Sequence, residues 1–329
     1  MTKRLAFVFP GQGSQSVGML SDLATAFPQV KETFAEVSDI LGHDMWSLVS
    51  AGPAADLDQT ENTQPAMLAA GVALWRCWRD SDRPKPDVPD VPDVPDVPNV
   101  MAGHSLGEYS ALVCAGALEL SDAARLVAVR ARLMQEATPI GSGAMAAILG
   151  LDDEQVVQLC ADQAGNQVLE AVNFNAPGQV VIAGQREAVE RALPGAKALG
   201  AKRALLLPVS VPSHCTLMRP AAEQLQAALA QCPMRMPEIA VIQNASVAAA
   251  ADIEQIREWL AQQLYRPVRW VATIQAIADR GVELFIECGP GKVLAGLGKR
   301  IDKTRPTRAI FDAETLRAAM TEAQDRGNP

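Results

Sequence analysis

Basic charge is scarce in this sequence: 29 lysines and arginines face 38 aspartates and glutamates, leaving a net charge of -9. A general nucleic-acid binder needs a basic surface that releases phosphate counterions. That class is excluded, and any anionic partner must meet a local basic patch. Aromatic residues are also few, 4% against a hydrophobic fraction of 49%. This balance fits alanine- and leucine-rich helices on a modest sheet, an α/β class, rather than an aromatic-rich β-sandwich. Apolar runs are short, none approaching the ~18 residues of a membrane span. The first ten residues hold an apolar run of only five, 5–9, before Pro10, too few for a signal-peptide core. A soluble, cytoplasmic protein with no membrane partner is expected.

Metal-binding patterns are missing as well. Cys77, Cys114, Cys160, Cys215, Cys232 and Cys288 are scattered with no CxxC pair, so neither a zinc cage nor a disulfide framework is indicated. They read as small core residues. Histidine is limited to His43, His104 and His214, which narrows the search for a general base to three positions.

What is present reads as alternating strands and helices. Residues 5–9 form an apolar run ending in Pro10-Gly-Gln-Gly-Ser-Gln15, a buried strand entering a glycine-rich loop. Helices are predicted over 19–27, 29–41 (stopped by Gly42), 64–78 and 121–137. Residues 86–100 are five consecutive Pro-Asp/Asn-Val units, a low-complexity stretch read as a surface insertion without chemistry. Strands are predicted at 100–103, 144–149, 168–174, 179–183, 203–207, 238–243 and 283–287, with helices at 152–162 and 185–199. The order between 144 and 207, βαββαβ, is the ferredoxin-like plan. The expected organisation is therefore a large parallel-sheet domain, 1–138 and 209–329, interrupted by a ferredoxin-like subdomain at 139–208.

Gly103-His-Ser-Leu-Gly107 fits the G-x-S-x-G elbow, in which glycines flank a serine held at a sharp strand-to-helix turn. The preceding apolar run and the following helical stretch to Ala115 supply the context this motif needs, which makes Ser105 the candidate nucleophile. Its hydroxyl needs a base. His214, in Ser210-Val-Pro-Ser-His-Cys215, follows a predicted strand on a Pro-bounded loop and is the best candidate, although local sequence fits a hydrogen-bonded loop histidine equally well. His104 adjoins the nucleophile and reads as a supporting or packing residue; His43 follows a helix stop and reads as solvated. No acidic residue stands in a comparable context to orient the imidazole. Asn244 and Gln263 are polar residues at predicted element ends. An oxyanion would find one donor in the Leu106 N–H at the start of a helix, and the Gly11-Gln12-Gly13 loop can offer a second.

Arg130 is the most informative residue for the substrate. At about 100° per residue it lies at the centre of the stripe formed by Ala123, Leu126, Val127, Leu133, Met134 and Ala137, while Arg125 and Arg132 fall opposite. A buried guanidinium needs a carboxylate, either a permanent partner or a bound ligand. The ligand reading is a bidentate clamp. By contrast, Glu287-Cys-Gly-Pro-Gly-Lys292 lacks phosphate-loop spacing and reads as a tight strand-to-helix turn.

Together, Phe9-Pro-Gly-Gln-Gly-Ser-Gln15, Gly103-His-Ser-Leu-Gly-Glu108, Val211-Pro-Ser-His214, Gln263-Leu-Tyr265 and Glu287-Cys-Gly-Pro-Gly-Lys292 resemble the malonyl-coenzyme A:acyl carrier protein transacylases over nearly the whole chain. The Pro-Asp-Val repeat is the main departure. The resemblance implies an α/β-hydrolase-like core with a ferredoxin-like insert and no metal or prosthetic group. It implies Ser105 as nucleophile, His214 as base oriented by a backbone carbonyl near Gln263 or Asn244, and an oxyanion hole from the N–H groups of Gln12 and Leu106. Arg130 would bind the malonyl carboxylate, with Gln263 lining the same pocket. Malonyl-CoA and an acidic, phosphopantetheine-bearing acyl carrier protein would be successive partners, the carrier meeting a basic patch for which Lys202, Arg203, Arg266, Lys299 and Arg300 are candidates. The elbow and histidine also suit a serine esterase or thioesterase, and a basic patch alone would suit a noncatalytic carrier-binding scaffold. Arg130 distinguishes the first rival, Ser105 with His214 the second.

Overall fold

An apolar pentapeptide with no polar alternation, such as Leu5–Phe9, suits a strand covered on both faces. The computed structural model, which describes residues 3–80, 97–139, 141–209 and 211–324, places it so. Its described strands are β1 (Leu5–Phe9), β2 (Val100–Gly103), β3 (Gly143–Leu149), β4 (Leu169–Ala176), β5 (Gln179–Gln185), β6 (Arg203–Leu206), β7 (Ala240–Ile242), β8 (Leu284–Cys288) and β9 (Thr307–Ile310). They form two separate sheets. The chain divides into two compact units: Met1–Ala128, Pro233–Ile242 and Ala276–Pro329 make the first, and Val129–Cys232 with Gln243–Gln275 the second.

The first unit carries a parallel sheet in the order β7-β2-β1-β8-β9. All residues of β1, β2 and β8 are buried. Phe7 meets Trp75 and Trp78 edge-on at centroid distances of 5.2 and 5.0 Å, which docks helix Thr60–Asp80 onto the sheet. Phe9 pairs with Gly103 and Val8 with Glu287. Three parallel strands therefore end at one edge, and the loops after β1, β2 and β8 emerge together there. In open α/β sheets this carboxyl edge is where ligand sites form.

The second unit carries an antiparallel sheet in the order β4-β5-β3-β6. Side chains alternate across it. Ala144, Ala146, Ile148, Val180 and Ile182 join one apolar cluster with Val156, Leu159, Val189 and Ala192 of helices Asp153–Ala164 and Arg186–Ala198. Met145, Val181 and Ala183 face the other way, against Val172 and Cys215. A capping box between Asp152 and Gln155 starts the first of those helices.

This unit takes in more than residues 139–208, because segments beyond β6 pack on its sheet. The Val268 N–H donates to the Val172 carbonyl at 2.8 Å, and the Phe174 N–H to the Val268 carbonyl at 2.9 Å. Other departures from expectation are local. The helix predicted over 64–78 spans Thr60–Asp80, with Pro65 inside it and Thr60, Thr63 and Gln64 buried: packing of the first turn outweighs the bond the proline forfeits. The helix predicted over 19–27 shortens to Ser21–Ala26, since Leu20 takes a left-handed conformation with φ 62°. The Pro-Asp-Val repeat lies outside the described residues up to position 96. No helix among the described residues is long and apolar enough to cross a membrane.

Candidate active site

β2 ends at Gly103 and helix Gly107–Cys114 begins at Gly107, so the turn between them must be sharp. The His104 N–H donates to the Phe9 carbonyl at 2.9 Å, Gly107 N–H to His104 carbonyl at 3.0 Å, and Glu108 N–H to Ser105 carbonyl at 3.0 Å. A Cβ on Gly103 would stand 1.8 Å from the Gly107 carbonyl carbon, and one on Gly107 would stand 2.0 Å from the Phe9 oxygen. Both flanking glycines are sterically required. Ser105 itself sits at φ 52°, a left-handed conformation that costs an L residue roughly 1–2 kcal/mol. Such strain persists only where the surroundings over-determine it. Ser105 and His104 are half-buried, whereas Leu106 is buried.

The glycine-rich loop after β1 lies against this elbow. A Cβ on Gly11 would fall 2.6 Å from the His104 carbonyl oxygen and 3.6 Å from the Leu106 nitrogen. The backbone entering Gln12 therefore runs beside the Leu106 N–H, at the start of the elbow helix, where the dipole favours negative charge. Within the first unit the structure thus brings together Ser105, Leu106 and the Gln12 loop.

The second unit holds a different group. His214 is 2% exposed and Gln263 is 0% exposed, and His214 Nδ1 lies 2.8 Å from the Gln263 backbone oxygen. A carbonyl only accepts, so Nδ1 carries the proton and the basic lone pair is on Nε2. His214 also has a left-handed backbone, φ 68°, and its own N–H donates to the Leu264 carbonyl at 2.9 Å. One dipeptide, Gln263-Leu264, thereby fixes both the ring and the backbone of the histidine. Of the two positions considered for orienting the imidazole, Gln263 holds Nδ1; Asn244 is buried, in the segment following β7.

Arg130 is 1% exposed on helix Leu120–Glu136, with Ala123, Leu126, Val127, Leu133 and Met134 buried around the same stripe. Its guanidinium donates to Gln263 Oε1 at 3.0 Å, a neutral acceptor. Arg125 and Arg132 pair on the outer face with Asp122 and Glu136. Gln263 is therefore common to the imidazole, through its backbone, and to the guanidinium, through its side chain.

Several supporting groups leave little sequence signal. Thr216 donates from its N–H and its hydroxyl to the Glu170 carboxylate, at 3.1 and 2.6 Å, tying the histidine loop to β4. Cys215, beside the histidine, is buried, and burial pushes its thiol up to about 12, so it stays protonated. Glu287, buried at the end of β8, accepts the Leu294 and Ala295 N–H groups at 2.9 and 2.7 Å, capping helix Val293–Ile301. A charged residue in an otherwise apolar strand is the one hint of that role. The candidate basic residues are exposed: Lys202, Arg203 and Arg266 belong to the second unit, Lys299 and Arg300 to the first. Lys299 and Arg300 fill the last turn of their helix, where cations favour its dipole. His43 is exposed after Gly42.

Comparison with known proteins extends these observations over the chain. Residues 6–309 match the family model described as acyl transferase domain. A malonyl CoA-acyl carrier protein transacylase of Salmonella typhimurium is 52% identical over 319 residues, 97% of this chain and 99% of the relative. One from Bacillus subtilis is 42% identical over 327 residues, 99% of each chain. Among solved structures, the malonyl CoA-acyl carrier protein transacylase of Coxiella burnetii superposes with a TM-score of 0.93 at 47% identity, covering 99% of both chains. A malonyl-transacylase solved in complex with its type II polyketide acyl-carrier protein gives 0.92 at 52% identity, covering 97% of this chain and 99% of that one.

Proposed function

The chain belongs to the malonyl CoA-acyl carrier protein transacylase family, and from that premise we propose that it moves a malonyl group from malonyl-CoA to the phosphopantetheine thiol of an acidic acyl carrier protein, supplying fatty-acid chain elongation. Ser105 is the nucleophile and His214 the base. In the first half-reaction the Ser105 hydroxyl loses its proton to His214 Nε2 as its oxygen bonds the thioester carbonyl carbon. The carbon–sulfur bond then breaks, and coenzyme A leaves as the thiol, taking the proton from the imidazolium. In the second, the carrier thiol gives its proton to Nε2 as its sulfur bonds the ester carbonyl carbon; the carbon–oxygen bond to Ser105 then breaks, and the serine oxygen takes the proton back from the imidazolium. The N–H groups of Gln12 and Leu106 hold the oxyanion at each tetrahedral stage. Both half-reactions balance in atoms and protons without a metal or prosthetic group.

The observation that carries this reading is the double use of Gln263. Its backbone oxygen orients the base and its side chain holds Arg130, so a carboxylate-binding guanidinium is built onto the same support as the catalytic imidazole. A thioester substrate bearing a free carboxylate uses that arrangement, with Arg130 as its clamp and Gln263 beside it; hydrolysis of a simple ester does not need it. His104 and Asn244 act as supports to these groups.

The parallel sheet corresponds in this reading to an α/β-hydrolase-like core, and residues 139–208 to a ferredoxin-like subdomain. The βαββαβ order and the strand order β4-β5-β3-β6, with two helices on one face, support the latter. A cytoplasmic location is part of this reading, and six buried cysteine thiols fit it. The test is intact mass after incubation with malonyl-CoA, then with carrier. A malonyl adduct absent in Ser105→Ala and discharged to the carrier is expected. Rapid thioester hydrolysis with no adduct would instead favour an esterase.

A further inference from the structure

We propose that Gln15 is a positioning residue for the oxyanion hole, acting through the Gly13 amide; the inference rests on the acyl-transfer reading above. The loop that presents Gln12 is exposed at residues 12 and 13 and glycine-rich, a combination that ordinarily leaves peptide planes free to rotate. Residues 12 and 13 are the central pair of a turn in which Gly13 has φ 101° and Gln12 does not have a positive φ. This is the type II arrangement. Type I differs from it chiefly by a flip of the central peptide, here the Gln12–Gly13 unit, and a glycine pays little to make that flip.

The Gln15 side chain blocks it. Its Oε1 accepts the Gly13 N–H at 2.7 Å, and its Nε2 donates to Asp58 Oδ1 at 2.8 Å. Asp58 is itself fixed, because its N–H donates to the Ala54 carbonyl at 2.9 Å at the end of helix Ala54–Leu57, whose Leu57 is buried. The primary amide thus spans from a rigid turn to the one N–H that defines the state of the loop. With Gly13 committed to Gln15, the Gly11–Gln12 backbone stays against the elbow, where Gly11 is already in contact with the His104 carbonyl. Without the amide that peptide is free to flip and the loop loses its tether to Asp58, so the backbone that carries the Gln12 N–H is no longer held against the elbow.

An oxyanion donor acts on charge that develops in the transition state, so the predicted defect lies in turnover rather than in substrate binding. The experiment measures kcat and KM for malonyl adduct formation on the intact enzyme by rapid quench and mass, with thermal midpoints alongside. Gln15→Ala is expected to lose roughly tenfold to a hundredfold in kcat with KM unchanged. In Gln15→Glu the new carboxylate opposes Asp58 and the same loss is expected. Adding Asp58→Asn should restore at least about tenfold, since the introduced carboxylate can accept both the Gly13 N–H and the side-chain amide now facing it. Unchanged kcat in Gln15→Ala, a loss confined to KM, or no recovery in the double variant overturns the proposal. If Gln15→Ala does not fold, the comparison of Gln15→Glu with Gln15→Glu/Asp58→Asn decides alone. A wild-type enzyme that forms no adduct overturns the acyl-transfer reading itself, which separates the two failures.

Discussion

The Gln263 carbonyl lies 2.8 Å from His214 Nδ1 while the same residue's Oε1 lies 3.0 Å from the Arg130 guanidinium. A neutral carbonyl at the end of helix Ile253–Gln262 thus occupies the position that an acid fills in other serine acyl enzymes. It sets the tautomer, and in the proposed mechanism the helix C-terminus favours the imidazolium that forms during transfer. The proposed base and clamp can also be perturbed separately, since one uses the backbone of Gln263 and the other its side chain.

Arg130→Ala should therefore lower kcat/KM for malonyl-CoA by about 10- to 100-fold or more, the worth of one or two charge-assisted hydrogen bonds. Acetyl transfer should be spared or rise, because no carboxylate is lost from it. Equal losses with both thioesters would remove the clamp assignment.

Gln263→Glu sharpens the same test. A carboxylate at this position pairs permanently with Arg130 and competes with the substrate, while the backbone contact to His214 is retained. KM for malonyl-CoA should rise, with the rate of acetyl loading little altered; steady-state kinetics on both thioesters would show it. A parallel fall in acetyl loading would mean that the side chain, not only the carbonyl, supports the base.

Gly11→Ala addresses the other half of the chemistry. The added methyl would lie 2.6 Å from a backbone oxygen, so the loop must move away from the elbow. Loss of one oxyanion donor is worth about 10²–10³ in kcat. Adduct kinetics should show a defect of that order with thermal stability lowered by far less than unfolding, and a normal kcat would show that the Gln12 N–H is not a donor.

Much of this arrangement is legible in the sequence because its physics is local. An apolar run before Gly103 and a helix after Gly107 require a tight turn, and the 3.6-residue period by itself puts Arg130 on a buried stripe. The short helix Met45–Ala51, helix Arg219–Gln231 and edge strand β9 are absent from the sequence-based expectation. β9 buries only Ile310, so it offers no alternation to read. The supporting bonds are hidden for another reason: Gln15 to Asp58 and Thr216 to Glu170 join residues 43 and 46 positions apart, and nothing in local spacing announces them.

Glu287 yields a prediction about stability. Burial raises its carboxyl from 4.5 to about 7, against the lowering effect of the Leu294, Ala295 and Val293 N–H groups. The folded state therefore binds a proton that the unfolded chain releases near pH 4.5. The resulting stabilisation is complete below that pH and is lost as pH rises through about 7. Over this window the contribution is on the order of 3 kcal/mol. Glu287→Gln cannot ionise, and its Oε1 still accepts one N–H at the start of helix Val293–Ile301. Denaturant unfolding at a series of pH values should show the wild type losing stability relative to the variant between pH 4.5 and 7. A difference that stays constant across that range would mean that the carboxyl is ionised in the fold throughout, and that the helix cap outweighs burial.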